Sequence, residues 1–317
     1  MAVHDPGKII TDLAISLALG GDCLADISVL RAEPGVFGAV ASDPTVSRLI
    51  DTLAVDAPAA LAAINTARAQ ARAAAWSAAG RHAPNRGRTA TAPLIIDVDA
   101  TLIAAHSEKE KAAPTFKRGF GHHPLWAFAD HGEDGGGEPL SFLLRPGNAG
   151  SNTATDHIIV IEQALAQLPA RRRRPAVLIR ADSAGGTHEL LSWLTAQGLL
   201  YSVGFAFQTG FANDVLPKVP DQAWSPAYDS NGGVRDGAWV ADVSGLMNLS
   251  TWPTGMRVII AKNDPTPALS CGSPTPTGTA SPPSLPTPAP GRSLTSNYAT
   301  AAGPAAKTAS ATPKTPA

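Results

Sequence analysis

Leu94-Ile95-Ile96-Asp97-Val98-Asp99-Ala100-Thr101-Leu102 and Val177-Leu178-Ile179-Arg180-Ala181-Asp182-Ser183 are the stretches on which the fold turns. Each is a short apolar, β-branched run closed by a carboxylate. That is the pattern of a buried strand delivering an acid to the rim of a sheet. Buried strands seldom end in bare carboxylates unless a cation waits there, so two such ends point to a divalent-metal site. Asp97 and Asp99 share one face of their strand, because side chains alternate with period two.

Around these runs the pattern is α/β. Strands are expected at 94–99, Gly121–Ala129, Pro139–Arg145, 177–182 and Leu200–Phe205, with helices at about Thr153–Leu168 and 187–197. Two hairpin strands followed by strand, helix, strand, helix and strand imply a mixed sheet with helices packed on it. Further strands are expected at 234–243 and 256–261. Upstream, residues 7 to 80 read as helical, with starts at Ser42-Asp43-Pro44 and Asp56-Ala57-Pro58. The division expected is a helical region 1–80, a linker 81–93, a core with a partial β insertion 94–263, and a low-complexity disordered tail 264–317.

The chain of 317 residues has room for two domains or one large core with appendages. Its net charge of −1 gives no global basic field to advertise a nucleic-acid partner. Positive charge is local, at Arg68 and Arg72, at Arg81, Arg86 and Arg88, and in the run Arg171 to Arg174. Cys23 and Cys271 lie far apart, which argues against a disulfide and leaves too few thiolates for a metal. No signal pattern or long apolar span is present, so a reducing, intracellular setting is expected.

Asp97-Val98-Asp99-Ala100-Thr101-Leu102 resembles the first motif of haloacid-dehalogenase-type phosphatases, with Asp97 as phosphoryl acceptor and Asp99 as general acid. Ala100 stands where that family carries glycine, and no paired acidic motif follows on a later strand. An ordered set of landmarks instead resembles the group 1 branch of DDE-superfamily insertion-sequence transposases. The landmarks are the Asp-Ala-Thr strand at Asp99; His106-Ser107-Glu108-Lys109-Glu110; Phe116-Lys117-Arg118-Gly119-Phe120-Gly121-His122-His123-Pro124-Leu125; Leu143-Leu144-Arg145-Pro146-Gly147-Asn148; and Arg180-Ala181-Asp182-Ser183. The resemblance covers about residues 7 to 263.

This resemblance implies a ribonuclease-H-like core and DNA transposition. A phosphodiester is cut with water, and the freed 3′-hydroxyl is joined to target DNA. Both steps are in-line displacements that Mg²⁺ (or Mn²⁺) ions roughly 4 Å apart assist, and such ions take hard oxygen ligands. It implies Asp99 and Asp182 as metal ligands, with Asp97 a second catalytic candidate on the same strand. Terminal inverted repeats and target DNA would be the partners, a homo-oligomer the intact form, and the nucleoid within the cytoplasm the location. Lys117, Arg118, Arg145 and Asn148 are candidate DNA contacts, although turn chemistry alone accounts for Pro146-Gly147-Asn148. Lys109 and Lys111 flank the same region.

Other features have plainer readings. His122 and His123 are adjacent, so they face opposite ways and are expected to be structural. Arg171 to Arg174 read as a solvated loop or a backbone contact. Ser42 to Leu49 is similar to a helix-turn-helix recognition helix, but the turn Glu33 to Ala41 is too long, and a plain capped helix is expected. Arg68 and Arg72 share a helix face open to a DNA-facing role.

The resemblance also implies a catalytic glutamate on a helix after the β insertion, in the region of the tail, yet no acid follows Asp264. A GC-rich back-translation of 262–317 read in a shifted frame yields an arginine-rich peptide containing Glu-Asp-Arg-Ile-Arg. The tail is therefore expected to be a frameshifted C-terminus and the copy incomplete.

Overall fold

The computed structural model describes residues 4–132, 136–170, 176–206, 214–228, 232–263 and 298–302. The chain divides into two compact units, Met1–Ala71 and Arg72–Ala317. The first holds α1 (Pro6–Ala18), the single turns α2 (Ser28–Arg31) and α3 (Pro34–Phe37), α4 (Asp43–Ala54) and the start of α5 (Ala57–Ala79). Its core is Ile9, Ile27, Ala41 and Val46, with Leu13, Val40 and Leu49 against them. Arg31 ties α4 down, donating to the Ala41 carbonyl and to Asp43, each at 2.7 Å. The plain helix is what forms at Ser42 to Leu49. The Ser42 side chain caps no backbone N–H and meets the Thr45 hydroxyl at 3.0 Å instead.

In the second unit the β-branched runs become strands in the expected order. These are β1 (Leu94–Ala100), β2 (Ile103–Ala104), β3 (Ala113–Pro114), β4 (Phe120–His122), β5 (Leu125–Asp130) and β6 (Gly137–Leu143). Then come α6 (Ala154–Ala166), β7 (Val177–Ala181), α7 (His188–Ala196) and β8 (Leu200–Ala206). The insertion contributes β9 (Ser225–Tyr228), β10 (Val234–Asp242) and β11 (Arg257–Asn263), and β12 is Tyr298–Ala302. Among the described residues the main sheet runs β6-β5-β1-β7-β8-β12-β11-β10-β9. β5 and β6 are antiparallel to their neighbours, and β1, β7 and β8 are parallel. The segment β6-β5-β1-β7-β8, with helices after β6 and β7, is a ribonuclease-H-like arrangement.

Period-two alternation decides the faces. Leu94 is buried, and Ile96, Val98, Val177 and Ile179 share one buried cluster with Val160, Ile161 and Ala164 of α6 and Leu190, Leu191 and Leu194 of α7. Each such side chain contributes about 1.5–3 kcal/mol on full burial. The buried Ser141 hydroxyl donates to the Val160 carbonyl at 2.7 Å and ties β6 to α6. The opposite face carries Asp97 and Asp99 on β1, Trp126 and Phe128 on β5, Phe142 on β6 and Arg180 on β7.

Several expectations need correction. The single strand Gly121–Ala129 is two strands, broken at His123-Pro124, because Pro124 has no N–H for a ladder. β4 instead joins β2 and β3 in a small separate sheet. In the segment 81–93, Ala83 lies in the core cluster, and Arg88 Nε donates to the Pro84 carbonyl. Of residues 264–317 the described ones are Tyr298–Ala302, which pair antiparallel with β8 and β11. That pairing closes two rows of backbone groups that would otherwise be open edges. Residues 264–297 and 303–317, with Cys271, lie outside the described residues, as does Arg171 to Arg174.

Arg72 is not open to DNA. Its buried guanidinium donates to Glu138 Oε1 at 2.5 Å, Gln167 at 2.6 Å and the Pro139 carbonyl at 2.9 Å. Trp76 Nε1 donates to Glu138 Oε2 at 2.9 Å, and His131 Nε2 meets the same oxygen at 2.9 Å. Burial pushes the Glu138 carboxyl up, but the bonds from Arg72, Trp76 and His131 and the Arg72 charge outweigh it and hold it below its usual 4.5. Arg72→Met should lower the unfolding free energy by about 2–4 kcal/mol, read as a lower urea midpoint. With a depressed folded value, the stability Glu138 contributes is complete above 4.5 and is lost as pH falls through the folded value. The acid limb of the stability curve should therefore be shallower in the variant.

Candidate active site

β1 and β7 run parallel with Ile95 beside Leu178, Asp97 beside Arg180 and Val98 beside Ala181. Asp99 and Asp182 each follow directly on that last rung, at the same end of the sheet. Neighbouring strands lie about 4.8 Å apart. Asp182 keeps an extended backbone (φ −72°, ψ −167°) and caps the short turn Ser183–Gly185, accepting the Ala184 N–H at 2.9 Å. Gly204 of β8 lets this turn close in, since a Cβ there would stand 3.0 Å from the Ser183 nitrogen. Asp99 accepts its neighbour Ala100's N–H at 2.8 Å. Both carboxylates are exposed, and among the described residues neither has an ion-pair partner.

Asp97 is differently placed. Its two oxygens accept Arg180 Nε at 2.5 Å and Nη2 at 2.8 Å, and Arg180 also reaches Asp130 at 2.9 Å. The hydrogen bond from Asp97, opposed by burial and joined by the charges of Asp97 and Asp130, holds the Arg180 guanidinium even more firmly protonated than usual. A carboxylate gripped by two parallel N–H bonds is poorly available as a nucleophile or as a metal ligand. The phosphatase reading thereby loses its phosphoryl acceptor.

The donor chemistry suits a hard cation. Magnesium is commonly held by one or two carboxylates, with water and substrate phosphate filling the other positions. Two like charges side by side also favour a cation between them. Among the described residues no third acid, histidine or cysteine completes a cluster with Asp99 and Asp182. The one such trio is Asp22, Cys23 and Asp26 in the first unit, where Asp26 accepts the N–H groups of Asp22 and Cys23 at 2.8 and 3.0 Å.

The remaining candidates divide. Arg145 is only 3% exposed and donates to the His123 and Gly150 carbonyls at 2.9 and 3.1 Å and to Asp156 at 3.2 Å. Its Nη2 is buried without a partner. A guanidinium so enclosed positions the loop 145–156 rather than meeting a phosphate. Asn148 lies exposed in the turn of that loop, and Lys117 and Arg118 are exposed at the tip of the β3–β4 hairpin. His122 meets the Glu110 carbonyl at 3.1 Å and His123 the Ala149 carbonyl at 3.2 Å, so the two rings serve separate structural contacts.

Sequence reasoning missed His157. It is buried in the first turn of α6, within hydrogen-bond distance of the Thr153 carbonyl at 2.9 Å. Burial pulls its pKa down, and the Arg145 charge adds to this. The Thr153 bond and the charges of Asp182 and Asp156 oppose it. His157 is thus an uncharged neighbour within electrostatic reach of Asp182. Only its place three residues into α6 gave any hint, and that is not a motif.

A ribonuclease-H-like sheet with two unpaired aspartates at the ends of its central parallel strands defines a candidate centre for metal-assisted chemistry at phosphorus. The family follows from comparison: a model of the transposase DDE domain, group 1, matches residues 1–272, and the chain belongs to that family. Domains of this kind act on DNA and generally depend on divalent metal. No curated protein matches the chain.

The loop that carries Arg145 is set by backbone contact. A Cβ on Gly147 would lie 2.2 Å from the Ala113 carbonyl oxygen and 2.5 Å from that of Gly121. Backbone atoms cannot swing aside as a flexible side chain does. Gly147→Ala should cost about 1–3 kcal/mol, measured by thermal or urea unfolding. An unchanged midpoint would contradict this packing.

Proposed function

We propose that this chain carries the strand-cleavage and strand-transfer site of an insertion-sequence transposase, with Asp99 and Asp182 as the ligands of a shared Mg²⁺ (or Mn²⁺). The parallel β1–β7 register supports this reading most directly, since Asp99 and Asp182 each follow immediately on its last rung, Val98 with Ala181. When bound, such an ion activates the attacking oxygen and stabilises the leaving one in an in-line displacement. The chain's own residues do the rest. β1 and the Asp182 turn fix the two carboxylates on rigid elements, which keeps the site ordered before DNA arrives. Arg180 neutralises Asp97 so that it does not compete for the ion. Arg145 holds the loop beside them, and Lys117 and Arg118 supply phosphate contacts. DNA is the partner, as terminal inverted repeats and target. The intact protein works as a homo-oligomer at the nucleoid, within the cytoplasm.

We also propose that this copy is incomplete. No glutamate follows Glu189 anywhere in the chain. The family's third acid is therefore missing, and residues 264–317 are read as a shifted frame. A DNA-binding remnant is the second reading, and the same absence favours it.

A nuclease and strand-transfer assay on inverted-repeat DNA with Mg²⁺ or Mn²⁺ tests both readings. The chain as it stands should bind that DNA with cleavage near background, and restoring the shifted frame should switch cleavage on. Asp182→Ala should abolish the restored activity. Failure of both forms to associate with DNA would overturn the proposal. Robust cleavage by the unrestored chain would overturn its incompleteness.

A further inference from the structure

The excursion between β1 and β5 ends in an aromatic residue with no core to join. Phe116 sits at the tip of the β3–β4 hairpin and is 70% exposed. The tip is not loose. Thr115 N–H donates to the Gly119 carbonyl at 2.8 Å, Arg118 N–H to the Thr115 carbonyl at 3.0 Å, and Gly119 N–H to Thr115 Oγ1 at 3.1 Å. Arg118 takes a left-handed backbone (φ 62°), as does Lys111 (φ 66°). For side-chain-bearing residues that conformation is unfavourable and persists only where surroundings enforce it.

The hairpin is also locked to the acid end of the sheet. A Cβ on Gly121 would stand 2.0 Å from the Ile103 carbonyl oxygen, so β2 and β4 meet backbone to backbone. His122 bridges to Pro146, and His123 N–H donates to the Arg145 carbonyl at 3.1 Å. Thr101 N–H donates to the Pro124 carbonyl at 3.1 Å, two residues past Asp99.

The charge around the ring is positive. Lys117 Nζ lies 5.7 Å from the Phe116 ring centroid, and the His123 ring centroid is 5.7 Å away on another side. Lys109, Lys111, Lys117 and Arg118 outnumber Glu108 and Glu110 on this excursion, and none of the four cations has an ion pair among the described residues. One projecting ring with Lys117 beside it, on a lysine-rich excursion, is too small for a protein interface. It matches a ligand that alternates flat apolar faces with phosphates.

We propose that Phe116 is a base-stacking residue. Its ring takes the face of an unpaired nucleobase at an opened DNA end, and Lys117 and Arg118 hold the phosphates on either side. This rests on the DNA-acting reading above and names the DNA feature that the site selects: an unstacked base next to the processed strand. Aromatic platforms bind bases with little regard to sequence, because every base offers a π-face.

The test uses the full chain and two synthetic DNAs, one fully paired and one with a short unpaired end carrying 2-aminopurine. Wild type should prefer the unpaired end and change the 2-aminopurine emission on binding. Phe116→Ala should lose about tenfold on the unpaired DNA, the scale of one base–aromatic stack. It should hold paired DNA as before and leave the emission unchanged. Phe116→Trp should restore both. Lys117→Ala and Arg118→Ala should weaken both DNAs alike, each reducing the salt slope by about one. A Phe116→Ala variant that keeps the wild-type affinity for the unpaired end and the emission change overturns the stacking role and leaves the DNA reading standing. So does a loss of self-association with DNA binding intact, which would assign the ring to a protein contact. No binding of either DNA by wild type at low salt overturns the DNA reading itself.

Discussion

Everything at this site depends on the pairing of two parallel strands. Side chains alternate along a strand, so a slip of one residue between β1 and β7 would turn a carboxylate from one face of the sheet to the other. The register is pinned by burial. Ile96 and Ile179 occupy one rung, Leu94 and Val177 another, and all four are buried. Their burial forces Asp97, Asp99 and Arg180 onto the opposite face, and Asp182 follows at the end of β7. Within that set the rung order does the sorting. Asp97 meets Arg180 and is neutralised, while Asp99 and Asp182 follow directly on the last rung, each exposed and without an ion pair among the described residues.

The same economy shapes the surroundings. Arg145 and Arg72 are both buried arginines with internal partners, one holding the loop that runs past the site and the other closing the end of α5 on β6. Each has its charge met by a carboxylate, Asp156 and Glu138 respectively. Breaking such a pair leaves the other charge stranded, which is why these residues matter more to the scaffold than exposed ones do. The exposed cations, Lys117 and Arg118, cost nothing to leave unpaired in water and are free to meet a polyanion.

Much of this was legible in the chain. The two carboxylate-ended runs gave the central strands, and the landmarks in order gave the family. Even the ambiguity between Asp97 and Asp99 was visible, although the Arg180 that pairs with Asp97 lies across the sheet and was not. What stayed hidden was non-local. Arg145 sits in a turn-like sequence, and nothing nearby says that it is buried against His123 and Asp156. Arg72 shares a helix face with Arg68 and looks solvent-facing until Glu138, far along the chain, comes to meet it. The split of Gly121–Ala129 was signalled by Pro124 but overridden by its apolar neighbours. Tyr298–Ala302 has no hydrophobic signature, because adding a strand to open backbone needs hydrogen bonds rather than side chains.

The central claim is that Asp99 and Asp182 form one cation site between them. Manganese binding followed by electron paramagnetic resonance on the full chain tests it without any need for turnover. The account predicts one Mn²⁺ site, weakened strongly and to a similar extent by Asp99→Asn and by Asp182→Asn, while Asp97→Asn leaves it in place. Manganese bound equally well after either of the first two substitutions would show that the two carboxylates do not share an ion.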